Sequence, residues 1–121
     1  MKRRDTGILG EKLARDFLRK RGYRILEANY RCPGGEVDLI AEHKDYLVFI
    51  EVRTKRSRDF GTPEESITQT KMERLRTVAS YYRQTHHNLP QLWRIDVVAV
   101  ELNQKGKPLR MELIEDAVGE A

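Results

Sequence analysis

Apolar residues in the first part of the chain recur at helical spacing and form a single stripe. The stripe consists of Leu9, Leu13, Ala14, Phe17 and Leu18. Positions three and four apart lie on one side of a helix, so this pattern predicts an amphipathic helix from about Thr6 to Arg21. Gly22 follows the last basic turn, where a glycine commonly ends a helix.

The next part of the chain changes to apolar and β-branched runs that are typical of strands. We predict three strands, at Tyr23–Tyr30, Glu36–Glu42 and Tyr46–Arg53. The sequence Cys-Pro-Gly-Gly at residues 32–35 separates the first two, because proline and glycine interrupt strands. A short polar turn at Lys44 and Asp45 joins the second strand to the third, so these two should form an antiparallel hairpin.

A second helix is predicted over residues 62–85, because Thr62 and Glu65 form a capping box and Pro63 fits the first helical position. Two further strands are predicted, at Trp93–Glu101 and Met111–Ile114. A right-handed crossover through the second helix would make the third and fourth strands parallel neighbours. The order α-β-β-β-α-β, with a final β, therefore predicts an α/β fold with a central mixed sheet flanked by helices.

Length and composition narrow the class of protein. The 121 residues indicate one domain over residues 1–121, whose ends at 1–5 and 117–121 we expect to be mobile. The net charge of +4 and the pI near 9.3 suit a polyanionic partner. No apolar run reaches the roughly 18 residues of a membrane span, and the basic N-terminus lacks the apolar segment of a signal peptide. Cys32 is the single cysteine and suits a reducing compartment, so we expect a cytoplasmic protein without a membrane partner.

Carboxylates inside the two hairpin strands are the most informative polar residues. Side chains two apart on a strand share a face, so Glu36 lies with Asp38, and Glu51 lies with Arg53 and Lys55. An ionised carboxylate in an apolar strand is costly unless it is compensated. If the hairpin brings Asp38 beside Glu51, a divalent cation between them would relieve the repulsion, and Mg²⁺ suits such oxygen ligands. The alternative is a structural ion pair with a neighbouring arginine or lysine.

The two motifs Gly35–Ile40 (GEVDLI) and Phe49–Lys55 (FIEVRTK) resemble those of the YraN-like family of bacterial proteins. They also resemble the PD-(D/E)XK nucleases, including archaeal Holliday-junction resolvases. Glu11 and the run Arg94–Val100 extend the likeness over nearly the whole chain. The resemblance implies a restriction-endonuclease-like fold. It further implies a divalent-metal-dependent DNA endonuclease that uses Mg²⁺ or Mn²⁺ and acts on phosphodiesters of branched or otherwise structured DNA.

The resemblance also implies roles for individual acidic side chains. Asp38 and Glu51 would be the principal metal ligands, and Glu11 and Glu36 would assist them. For Glu11 the alternative is a solvated partner of Arg15, four residues further along the same helix.

Basic side chains would bind phosphate and stabilise the charge that develops during cleavage. The expected nucleic-acid-binding residues are Arg53, Lys55, Arg56, Arg58 and Lys71. Arg53, Lys55 and Lys71 would join Asp38 and Glu51 as catalytic residues. Arg53 occupies the position of the superfamily's lysine, and an arginine stays protonated and cannot readily act as a general base. The alternative is a catalytically inactive or partner-dependent DNA-binding module on the same fold. A homodimer is a further expectation, because two-fold DNA substrates suit paired sites.

Overall fold

A computed structural model describes residues 2–56 and 61–117 of the chain. Its helices and strands are α1 (Arg3–Lys20), β1 (Arg24–Cys32), β2 (Gly35–His43), β3 (Tyr46–Lys55), a short 3₁₀ helix (Glu64–Ser66), α2 (Gln69–Thr85), β4 (Leu92–Leu102) and β5 (Pro108–Ile114). The predicted order α-β-β-β-α-β is confirmed, and the final strand β5 is present. Within the described residues, no helix is both long enough and apolar enough to cross a membrane.

The five strands form one mixed sheet in the order β1-β2-β3-β4-β5. Neighbouring strands are antiparallel except for β3 and β4, which are parallel and are connected through α2. The hairpin of β2 and β3 pairs Leu39 with Ile50, and β3 pairs Glu51 with Val97 of β4. The predicted α/β architecture with helices on a central mixed sheet is therefore confirmed, and it is consistent with a restriction-endonuclease-like fold.

Each face of the sheet carries one helix and its own apolar core. Ala14 and Leu18 of α1 pack with Val48 and Ile50 of β3, whereas α2 packs on the face that carries Phe49. This division follows from the alternation of side chains along a strand. It places Glu51, two residues beyond Phe49, on the side of α2.

The second helix begins later than the sequence pattern predicts. The Thr62 hydroxyl does contact Glu65 Oε1 at 2.9 Å, but this capping box precedes only the 3₁₀ helix. Ile67 then takes an extended conformation, which interrupts the helical path. Thr68 is the N-cap of α2, and its Oγ1 accepts a hydrogen bond from the Lys71 N–H at 3.1 Å. The prediction of one helix over residues 62–85 was wrong at its start, because a second capping threonine begins α2.

Helix α1 lies very close to β3 at Gly10. A Cβ atom at Gly10 would lie 1.9 Å from Oγ1 of Thr54, which is far below any van der Waals contact. A glycine is therefore required for α1 to approach β3 this closely. The close approach brings the first turns of α1 beside the ends of β2 and β3, where the predicted acidic residues lie.

Candidate active site

Asp38 lies where the pairing of β2 with β3 stops. The last paired residues are Leu39 and Ile50, and beyond them the backbone N–H of Val52 has no strand carbonyl to meet. Oδ2 of Asp38 accepts the hydrogen bond from Val52 N–H instead, at 2.7 Å. The Asp38 carboxylate thus replaces a strand carbonyl as the acceptor for Val52 at the open end of the hairpin. This hydrogen bond holds the Asp38 side chain beside β3.

Glu51 is the neighbouring acid on β3, and it is only 4% exposed. Its Oε2 lies 3.0 Å from Arg53 Nη2, and its Oε1 lies 3.8 Å from Lys71 Nζ. At that distance Lys71 gives electrostatic attraction without a hydrogen bond. Oε1 of Glu51 is a buried oxygen with no hydrogen-bond partner. Such orphaned buried oxygens are rare in folded proteins and call for an explanation.

The two acids lie close enough that each changes the pKa of the other. Burial, and then the charge of Asp38, raise the pKa of Glu51 from 4.5 to about 8. Burial also raises the pKa of Asp38, against the opposing effect of the hydrogen bond from Val52. Two close carboxylates resist joint ionisation, so the pair retains a proton at neutral pH.

Glu11 and Glu36 lie near Asp38 but each has another partner. Oε1 of Glu11 accepts a hydrogen bond from Asn29 Nδ2 at 3.0 Å, so Asn29 is its partner. Burial, followed by the charge of Asp38, raises the pKa of Glu11. The exposed carboxylate of Glu36 lies 3.2 Å from Arg31 Nε. The roles of Glu11 and Glu36 as metal ligands stay predictions.

These acids and several arginines line one open cavity of about 670 Å³, which we call the acid cavity. Its charged lining residues are Arg3, Arg4, Glu11, Arg31, Glu36, Asp38 and Arg53. Arg3 and Arg4 reach it because α1 begins at Arg3, three residues before the predicted start. From the sequence, these two arginines are expected in an N-terminal tail that adds only non-specific electrostatic attraction, since they precede the apolar stripe that marks the helix.

The donor set suits a hard divalent cation. Asp38 and Glu51 supply carboxylate oxygens, one of them the orphaned Oε1, and a cation would satisfy that oxygen. Among residues 2–56 and 61–117, no group of three or more His, Cys, Asp or Glu side chains lies close enough together to hold a metal ion. A two-carboxylate set still fits Mg²⁺, which usually takes one or two protein carboxylates and completes its shell with water and phosphate.

The predicted basic residues divide into two groups in space. Arg53 and Lys71 both lie against Glu51, so the structure brings them to the acidic pair. Lys55 lies at the far end of β3, where it pairs in register with Glu101 of β4. Arg56 follows it and is half-buried. Arg58 lies outside the described residues.

The predicted alternative of a structural ion pair also applies to this site. Arg53 is within ion-pair distance of Glu51, so compensation by a neighbouring cation is confirmed for this acid. Elsewhere, the fully buried Asp96 accepts hydrogen bonds from Arg94 Nε at 3.0 Å and from the Tyr23 hydroxyl at 3.0 Å. Asp96 is therefore a satisfied structural acid on the α1 face. It contrasts with Glu51, whose Oε1 has no such partner.

Residues 10–100 match a protein family described as "Uncharacterised protein family UPF0102". The chain belongs to this family. It is 45% identical to a UPF0102 protein of Caldicellulosiruptor saccharolyticus over 97% of this chain and 99% of that protein. UPF0102 proteins of Moorella thermoacetica and Dehalococcoides mccartyi are 46% and 47% identical to it. The alignments cover 97% of this chain and 98% of the Moorella protein, and 98% of this chain and 96% of the Dehalococcoides protein.

Membership in UPF0102 confirms the YraN-like assignment predicted from the two motifs. The matched segment contains Glu11, Asp38, Glu51 and Lys71, whereas Arg3 and Arg4 of the acid cavity precede it. The family description states no activity, so the likeness to PD-(D/E)XK nucleases stays a prediction.

Proposed function

We propose that this UPF0102 protein binds DNA and hydrolyses its phosphodiester bonds with Mg²⁺ or Mn²⁺ at the acidic pair of Asp38 and Glu51. The single observation that carries the proposal is the pair of Asp38, which lines the acid cavity with several arginines, and the buried Glu51, whose Oε1 has no hydrogen-bond partner. Burial, a like-charged neighbour and an oxygen without a hydrogen-bond partner together favour a functional role for Glu51 over a purely structural one.

Asp38 and Glu51 would hold the metal, and Glu11 and Glu36 of the acid cavity would assist through water. A bound divalent cation would polarise the scissile phosphate and lower the pKa of an attacking water. The backbone bond from Val52 fixes the Asp38 carboxylate, so this ligand needs no reorganisation when it binds.

Arg53 and Lys71 would then turn toward phosphate. Both lie within ion-pair distance of the Glu51 carboxylate, and they would exchange it for a phosphate oxygen if Glu51 held a cation. Arg53 can bind a phosphate through two parallel hydrogen bonds and stabilise charge that develops on its oxygens. Arginine holds its proton, so activation of the water would fall to the metal or to Lys71.

A non-catalytic DNA-binding module is the second candidate, and one observation favours it. Arg53 lies 3.0 Å from Glu51 and occupies the position where the superfamily's lysine is expected. An arginine there can neutralise the acidic pair permanently and leave the cavity to bind phosphate without cleavage. Such a protein would bind DNA in a salt-dependent way and show no requirement for a divalent cation.

A cleavage assay on linear, nicked, flapped and four-way DNA tests the proposal. The wild type should cut at least one substrate with Mg²⁺ or Mn²⁺ and cut none in EDTA. Glu51→Gln should lose cleavage, because it replaces a negatively charged metal ligand by a neutral amide with almost no change in shape. Asp96→Asn is a matched control, since it also neutralises a buried acid but its side chain lies on the α1 face of the sheet, opposite the face of Glu51.

The outcomes separate the candidates. Cleavage that survives Glu51→Gln would come from another site or a contaminating nuclease, and would refute the proposed active site. Absence of cleavage on every substrate, together with retained salt-sensitive binding, would establish the non-catalytic module. Absence of salt-sensitive binding would refute nucleic acid as the ligand.

A further inference from the structure

A second, smaller depression adjoins the acid cavity and is lined by residues of β1, β2 and α2. It has a volume of about 370 Å³, and its lining residues are Arg31, Cys32, Gly35, Glu36, Lys71 and Arg74. We call it the β1–α2 trough. It shares Arg31 and Glu36 with the acid cavity, so the two depressions lie side by side. Lys71 further connects the trough to the acidic pair, because its Nζ lies 3.8 Å from Glu51 Oε1.

The base of the trough contains Gly35, next to the turn between β1 and β2, and this glycine has no side chain to fill the space there. Gly35 has a φ of 141°, which side-chain-bearing residues rarely adopt. A Cβ atom there would lie 3.4 Å from Val78 Cγ2 and 3.6 Å from Arg74 Cβ. The Gly35 backbone therefore packs against α2, close to Arg74.

The charge of the trough is strongly positive. Glu36 is the one acid among the described residues that line it, and it already pairs with Arg31 at 3.2 Å. Lys71 Nζ donates to the Glu36 carbonyl oxygen at 3.4 Å. Arg74 is exposed and makes no ion pair with any residue in the described parts of the chain. Its five N–H donors are therefore available to an anion in the trough.

We propose that the β1–α2 trough binds the backbone phosphate of a nucleotide next to the one at the acidic pair, with Arg74 as the principal contact and Arg31 in support. This inference rests on the proposed function and extends it, since Arg31 and Arg74 were not predicted as binding residues. A guanidinium fork matches a phosphodiester, and the adjoining depressions match a polyanion whose charges repeat along a chain. The strand would therefore continue on the α2 side of the reactive phosphate.

Binding in EDTA tests this proposal without any contribution from cleavage. Anisotropy of a short fluorescent DNA is measured over a salt series for the wild type, Arg74→Gln, Arg74→Lys and the control Lys105→Gln. Lys105→Gln removes the same charge in the turn between β4 and β5, at the opposite edge of the sheet from β1. A circular dichroism melt verifies that each variant is folded.

Arg74→Gln should weaken binding roughly three- to tenfold and reduce the slope of log affinity against log salt by about 0.9 for duplex or 0.7 for single-stranded DNA. Arg74→Lys should restore most of the slope, because the charge is kept, and recover only part of the affinity, because the fork is lost. Lys105→Gln should behave like the wild type. If Arg74→Gln and Lys105→Gln change the DNA affinity and the salt slope equally, phosphate binding in the β1–α2 trough would be refuted, whereas the proposed function would be unaffected. Loss of salt-dependent binding in the wild type itself would overturn the proposed function as well.

Discussion

Replacing Glu51 by glutamine should abolish a pH dependence of stability that the wild-type chain carries. Burial and the neighbouring Asp38 raise the pKa of Glu51 from 4.5 to about 8. Between pH 4.5 and about 8, the folded protein therefore keeps a proton on Glu51 that the unfolded chain has already released. Protonated Glu51 contributes stability that is fully present below pH 4.5 and is lost as the pH rises to about 8. Glutamine mimics the protonated acid and does not titrate.

The size of the effect follows from the shift. One pKa unit corresponds to about 1.4 kcal/mol, so the free energy of unfolding should fall by roughly 5 kcal/mol across the window because of Glu51. The side chain is only 6% exposed, so solvent screening reduces this value little. Asp38, whose pKa is also raised by burial, contributes a loss of the same sign. A domain of this size is stable by only about 5 to 15 kcal/mol, so the change is a large fraction of the total.

The assay is urea unfolding at a series of pH values, followed by the fluorescence of Trp93, the single tryptophan of the chain. Glu51→Gln is compared with the wild type at each pH, so that titrations common to both proteins cancel. The variant should become progressively more stable than the wild type from about pH 5 upward and gain no further advantage above about pH 8.

Parallel curves for the two proteins would refute the reasoning, because they would mean that Glu51 ionises freely in the folded state. A second series with Mg²⁺ separates burial from metal binding. Mg²⁺ should stabilise the wild type increasingly toward high pH, since a ligand must be deprotonated to bind, and should stabilise Glu51→Gln much less. If stability depends on pH as expected but Mg²⁺ does not change it, the raised pKa of Glu51 would be upheld and Mg²⁺ binding at this site would be refuted.

Two further predictions concern the packing that positions the site, and each is measured by the free energy of urea unfolding. Gly10→Ala should destabilise the protein by about 1 to 3 kcal/mol, because the new methyl group would collide with the Thr54 side chain. A change near zero would contradict the close approach of α1 to β3. Thr68→Ala should lower the free energy of unfolding by about 1 kcal/mol, because Thr68 caps α2 by accepting a hydrogen bond from the Lys71 N–H. Thr62→Ala should lower it less, because it removes only the capping box before the 3₁₀ helix. A larger effect of Thr62→Ala would mean that Thr62, and not Thr68, is the effective N-cap.

The strands and the acidic pair could be predicted because both depend on local alternation. The apolar run around Glu51 predicts strand β3, and the short polar turn at Lys44 predicts that β3 pairs with β2. Given an antiparallel hairpin, Asp38 and Glu51 fall at neighbouring positions. The proton that the pair retains could not be predicted, because the pKa of Glu51 depends on how deeply the folded chain buries it and on how close Asp38 lies.

The surroundings of the pair could not be predicted from local pattern. Arg3 and Arg4 precede the apolar stripe of α1, so nothing in their spacing indicates that they line the acid cavity. Arg31 and Arg74 lie 43 positions apart in sequence and meet only because α2 packs over the turn at Gly35. Such pairings depend on the placement of one whole helix over the sheet, which single-sequence periodicity does not contain.

The hydrogen bond from Val52 to Asp38 decides how mutants of this acid must be interpreted. Alanine at this position would leave the Val52 amide unpaired and cost about 1 to 3 kcal/mol, so the end of the hairpin would loosen together with any loss of chemistry. Asparagine keeps an oxygen that can accept from Val52 and removes only the negative charge. A conventional alanine scan would thus confuse a broken scaffold with a missing ligand, whereas Asp38→Asn distinguishes them.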